Sequence, residues 1–197
     1  MAFSKKIELE EGIIGMWEIT DEATLLMQQF QFSDREKIEF AHLSSERRKR
    51  EYLAVRLLLK ELLGKNPEIF YDGLGRPQLN NSDYHLSISH SADLAVVFLS
   101  QKKIGIDAEN TERNIEKVAT RFLNVHEKEF VKTTADQQKT MIVLWCAKEA
   151  IFKCSEKQGI DFGKEIYIPP FSVTGNTGFK GIKTQSGKST VYRLQQF

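Results

Sequence analysis

Apolar positions recur at helical spacing from about Ser45 to Leu63 (SERRKREYLAVRLLLKELL), where Tyr52, Val55, Leu59, Leu62 and Leu63 fall on one stripe and Gly64 offers a stop. The spacing predicts a long helix. Gly73, Gly75 and Pro77 then mark a loop, and two short apolar runs follow, Tyr84 to His90 and Leu94 to Leu99, joined by the turn-prone Ser91-Ala92-Asp93. These read as a β-hairpin. A third strand is expected over Ile104 to Glu109, with the two isoleucines on one face and Asp107 and Glu109 on the other. Helical periodicity returns over Ile115 to Val131 and over Gln138 to about Lys157, and Gly159 to Phe197 reads as short strands between Gly-rich turns.

Helices followed by sheet occur twice in this pattern. It predicts an α+β chain made of a pseudo-twofold pair of similar halves, 1–102 and 103–197, each a small antiparallel sheet packed with a long helix, in one compact unit. Leu43-x-x-Glu46 ahead of one long helix and Leu123-x-x-x-Glu127 ahead of the other echo that duplication.

Composition narrows the class of molecule. Of 197 residues 41% are hydrophobic and 28% charged, as in an ordinary globular protein. The 28 Lys and Arg against 27 Asp and Glu remove the strongly basic footprint of a dedicated nucleic-acid binder. Cys146 and Cys154, in one predicted helix, build neither a disulfide framework nor a four-ligand zinc site. Met1 to Gly12 lacks the apolar core of a signal peptide, and the longest apolar run, Leu94 to Leu99, is too short to span a bilayer. The expectation is a cytoplasmic, monomeric protein that engages neither nucleic acid nor membrane.

Several charged positions then stand out against the pattern. Asp107 and Glu109, two apart in an expected strand, lie roughly 6.5 to 7 Å apart, from which two hard oxygen ligands can share a divalent cation; as a bare pattern they read equally as two solvated acids. Glu149 falls within the stripe of Ile142, Trp145 and Phe152, where a carboxylate needs a cation, either a metal ion or Lys153 one turn on. Arg56 repeats the anomaly on the face of Tyr52, Leu59 and Leu63, one to two turns beyond Arg47, Arg48, Lys49 and Arg50. Positive charge near a helix N-terminus is disfavoured by the macrodipole, so a recruited phosphate would rationalise it, as would simple solvation. Ser89-His90-Ser91 offers hydroxyls and an imidazole to the same kind of ligand. A Ser-His-acid hydrolase is not supported, because no Gly-x-Ser-x-Gly elbow occurs.

Gly105-Ile106-Asp107-x-Glu109, followed about forty residues later by Trp145-Cys146-Ala147-Lys148-Glu149-Ala150-x-x-Lys153, resembles the paired signature of 4′-phosphopantetheinyl transferases of the Sfp type. Gly75-Arg76-Pro77 ahead of Ser89-His90-Ser91, the Arg-rich stretch from Arg47, and Arg121-Phe122-Leu123 with Glu127 extend the likeness over about Ser45 to Lys157. Ser87 stands where the family often has Asn, Cys146 replaces a small hydroxyl residue, and Leu123 replaces an aromatic.

The resemblance implies transfer of phosphopantetheine from coenzyme A to a serine of an acyl, peptidyl or aryl carrier protein, with release of adenosine 3′,5′-bisphosphate. It implies that Asp107, Glu109 and Glu149 hold Mg²⁺ and that Lys153 steadies the phosphates. By the same likeness Arg47, Arg56, Arg76, Ser89 and His90 bind coenzyme A, and Glu149 or Glu127 is the base. The alternatives are a catalytically idle module that binds coenzyme A or a carrier protein, and another Mg²⁺-dependent phosphotransferase.

Overall fold

Ser45 and Gly64 bracket a helix that runs Glu46–Leu63. The Ser45 hydroxyl accepts a hydrogen bond from the Arg48 backbone N–H at 3.2 Å, and Gly64 closes the last turn at φ 68°, a left-handed conformation that costs glycine little. A computed structural model describes residues 3–155, 159–172 and 178–195. The chain divides into two units, Met1–Ala108 and Glu109–Phe197.

The first unit opens with β1 (Phe3–Leu9) and β2 (Gly12–Glu18), followed by α1 (Ala23–Met27), α2 (Asp34–Ala41) and the long α3 (Glu46–Leu63). Four strands complete it, β3 (Ile69–Tyr71), β4 (Pro77–Leu79), β5 (His85–Ser91) and β6 (Leu94–Ser100). They form one antiparallel sheet in the order β1-β2-β6-β5-β4-β3. Leu53, Leu57 and Leu58 of α3 share a buried core with Leu86, Val97 and Leu99 of the central strands. Gly15 lets α3 lie close on β2, because a Cβ there would stand 2.8 Å from the Leu58 and Leu62 methyls.

The second unit holds α4 (Glu116–Phe122), α5 (Val125–Thr133), α6 (Gln137–Cys154) and α7 (Phe162–Glu165), with a three-stranded antiparallel sheet of β7 (Ile166–Tyr167), β8 (Gly178–Gln185) and β9 (Lys188–Gln195). Helix α6 is its spine. Met141, Leu144, Ala147 and Ile151 recur at helical spacing and are buried with Ile166 and Ile168. A Cβ on Gly181 of β8 would run into Ile151, so glycine sets how closely helix and sheet approach.

The α+β class holds, and three expectations are corrected. Residues 104–109 are not a strand. The helix expected over Ile115 to Val131 is broken at Leu123 and Asn124, because Asn124 starts a new one: its side chain accepts from Glu127 N at 2.9 Å while Glu127 accepts from Asn124 N at 2.9 Å. The first unit opens on strands rather than helices, and its sheet has six strands against three in the second. Helix α6 ends at Cys154, and the expected continuation to Lys157 lies outside the described residues.

Candidate active site

Strand β5 alternates Leu86, Ile88 and His90 with Ser87, Ser89 and Ser91, and all three serines are buried. The hydroxyls of Ser87 and Ser89 meet the chain that follows β6. Ser87 Oγ accepts from Ile106 N at 3.0 Å, and Ser89 Oγ accepts from Ala108 N at 3.1 Å. Ser89 also donates to Asp107 Oδ1 at 2.8 Å. Donors two residues apart thus meet hydroxyls two residues apart, the period of extended chain. Side chains do here some of what a neighbouring strand would do, which is why alternation in the sequence reads as a strand that the backbone does not form.

Glu109, at the start of the second unit, is mostly buried at 11% side-chain exposure. Its Oε1 accepts from Asn110 N at 2.9 Å and its Oε2 pairs with Arg113. Glu149 and Lys153 are one turn apart on α6, and both are half-buried.

The enclosed charge on α6 is Lys148, which the sequence reading passed over. Its position four after Leu144 and three before Ile151 was the available signal, since it puts the ammonium on the buried stripe. Lys148 Nζ donates to Phe122 O at 2.7 Å, Phe162 O at 2.9 Å, Ile166 O at 2.8 Å and Glu127 Oε2 at 2.6 Å. Both side chains of the Lys148 and Glu127 pair are 0% exposed. Burial pushes the Lys148 ammonium below the ordinary lysine range, with the Glu127 charge opposing that shift. Glu127 Oε1 accepts from Ile168 N at 2.9 Å. Its two oxygens therefore tie α5, α6 and the segment after β7 together, whereas the role of base expected of it requires reach to a substrate proton.

Among the cations expected to meet coenzyme A, Arg56 is enclosed. It is 1% exposed, with Nε 2.9 Å from Glu36 Oε1 and a second nitrogen 3.4 Å from Glu39 Oε2. Its guanidinium lies over the Tyr52 ring at 3.2 Å. The carboxylates that pair with Arg56 are thus supplied by α2. Burial then pushes the Tyr52 phenol well above its ordinary range, against the nearby Arg56 charge. Arg47 is exposed and pairs with the buried Glu51 at 2.8 Å. Arg76, in the turn between β3 and β4, meets Asp72 Oδ2 at 2.7 Å through Nε and holds that carboxyl below the usual carboxylate range. His90 is half-buried near the end of β5, and Ser89 is turned to Asp107.

Asp107 belongs to the first unit, and Glu109 and Glu149 to the second. Among the described residues no group of three or more His, Cys, Asp or Glu side chains is gathered as a metal cluster. Asp107, Glu109 and Glu149 are all carboxylates, the hard oxygen chemistry that suits Mg²⁺. No helix among the described residues is long and apolar enough to cross a membrane.

Residues 103–193 match the family model of the 4′-phosphopantetheinyl transferase superfamily. The 4′-phosphopantetheinyl transferase gsp of Aneurinibacillus migulanus is 30% identical over 157 residues, an alignment that takes in 75% of this chain and 62% of that relative. The chain therefore covers less than two thirds of the relative's length. Both comparisons bear out the resemblance carried by the two motifs.

Proposed function

We propose that this chain, similar over residues 103–193 to the 4′-phosphopantetheinyl transferase superfamily, transfers 4′-phosphopantetheine from coenzyme A to a serine of an acyl, peptidyl or aryl carrier protein. The observation that carries the reading is the joint presence of Asp107, Glu109, Glu149 and Lys153 in both motifs of a segment that matches that superfamily. Asp107, Glu109 and Glu149 would hold Mg²⁺, which when bound supplies charge cancellation on the pyrophosphate of coenzyme A.

Phosphoryl transfer needs mainly positioning and neutralisation of oxygen charge, so carboxylates and cations share one purpose. With Glu127 held by Lys148, Glu149 is left to take the proton of the carrier serine, directly or through water. The serine oxygen attacks the phosphorus that carries pantetheine, its bond to the bridging oxygen breaks, and adenosine 3′,5′-bisphosphate leaves with that oxygen. Lys153 meets the charge that develops on the phosphates. Arg47, Arg76 and His90 are the side chains proposed for coenzyme A, its 3′-phosphate included, and Arg56 is not among them.

The test is chromatography of the nucleotide products after incubation with coenzyme A, Mg²⁺ and an apo carrier protein. Adenosine 3′,5′-bisphosphate should form only when carrier and metal are both present. Intact coenzyme A in every tube would mean a binding module, and nucleotide release without carrier a hydrolase.

A further inference from the structure

We propose that Ser87 is a positioning residue for the Asp107 carboxylate, holding residues 106–108 in register so that Ser89 meets Asp107. This inference deepens the function proposed above, since it rests on Asp107 as a metal ligand. Residues 104–109 are not a strand, and their register along β5 has a side-chain component. Two buried hydroxyls supply it: Ser87 accepts from Ile106 N at 3.0 Å and Ser89 from Ala108 N at 3.1 Å. Ser89 then turns its own proton to Asp107 Oδ1 at 2.8 Å. Two anchors at a period of two help fix both the direction of the segment and the face on which Asp107 falls. Ser87 touches neither Asp107 nor any ligand directly in this account, and acts through the backbone. Partners of this kind set the orientation of metal-binding carboxylates, and their loss typically costs about 10- to 100-fold in metal affinity.

The experiment uses the full chain as wild type, Ser87→Ala, Ser87→Thr and Ser87→Cys. It reads amide exchange at Ile106 and Ala108, the carboxyl carbon resonance of Asp107, and the Mg²⁺ concentration giving half-maximal transfer. Ser87→Ala should speed exchange at Ile106 by at least roughly tenfold, displace the Asp107 resonance and raise the Mg²⁺ requirement about 10- to 100-fold, with the rate at saturating Mg²⁺ nearly kept. Ser87→Thr, which retains the hydroxyl, should restore all three. Should Ser87→Ala not fold, Ser87→Cys, similar in size and a weak acceptor, carries the same readouts. Wild-type exchange, an unmoved Asp107 resonance or an unchanged Mg²⁺ requirement in the folded variant overturns the proposal. A wild-type chain that transfers nothing refutes the function above instead, and the exchange and carbon signals still decide the placement.

Discussion

A carboxylate enclosed at 0% exposure, with oxygens held by Lys148, Asn124 and Ile168, would have to release those partners to serve a substrate hydroxyl. Glu127→Ala should therefore act on stability. Removing one partner of a buried ion pair costs about 3–5 kcal/mol, and replacing both by apolar residues recovers much of it, so Glu127→Leu with Lys148→Met should melt above Glu127→Ala. A Glu127→Ala chain with a wild-type urea melt and no transfer would return Glu127 to the role of base. Lys153 stands at the opposite pole, half-buried and one turn beyond Glu149. As a compact point charge beside phosphate it should not tolerate a planar guanidinium. Lys153→Arg is expected to slow carrier modification by at least roughly tenfold, about 1.4 kcal/mol in the barrier, with an unchanged melt. Full activity would reduce Lys153 to a helix-surface partner of Glu149.

Elements were legible wherever local chemistry and burial agree. Helix α3 announced itself through its stripe, Ser45 and Gly64, and the β5–β6 pair through two apolar runs around a turn at Ala92, whose φ is 49°. The opening hairpin was missed because Phe3–Leu9 alternates charged and apolar residues without a β-branched run, and its pairing with β2, and through β2 with β6, is a long-range fact. The break between α4 and α5 was missed for another reason: Asn124 and Glu127 lie three apart inside a continuous helical period, and only the capping box tells a start from an interior. Asn124→Ala should cost about 0.5–2 kcal/mol, read by thermal melting, since it removes the acceptor for Glu127 N. An unchanged melt would mean that the box does not hold α5. At the candidate site, Asp107, Glu109, Glu149 and Lys153 stand out in the sequence by residue type and spacing, and the roles proposed for them rest on the family resemblance. For Arg56 and Glu127 spacing does not show the partner that another element brings, Glu36 for one and Lys148 for the other.

The scale of the whole chain is where ligand selection belongs, since the residues proposed for coenzyme A come from β5, from α3 and from the turn before β4. If Arg76 and His90 meet the 3′-phosphate, Arg76→Ala and His90→Ala should weaken coenzyme A more than dephospho-coenzyme A. Each lost charge-assisted contact is worth roughly 1.5 to 3 kcal/mol, a difference that calorimetric titration of both ligands resolves. Equal weakening of the two would move these residues elsewhere on the ligand.

If carboxylates from both motifs serve one transfer reaction, intact-mass analysis of an apo carrier protein reads it out. The carrier is incubated with coenzyme A and saturating Mg²⁺ in the presence of wild-type chain, Asp107→Ala or Glu149→Ala, each first shown by a melt to be folded. The wild type should add one phosphopantetheine mass to the carrier, and neither variant should add any within the same time. A folded Asp107→Ala or Glu149→Ala chain that modifies the carrier at near wild-type rate, or a wild-type chain that leaves its mass unchanged, would contradict it.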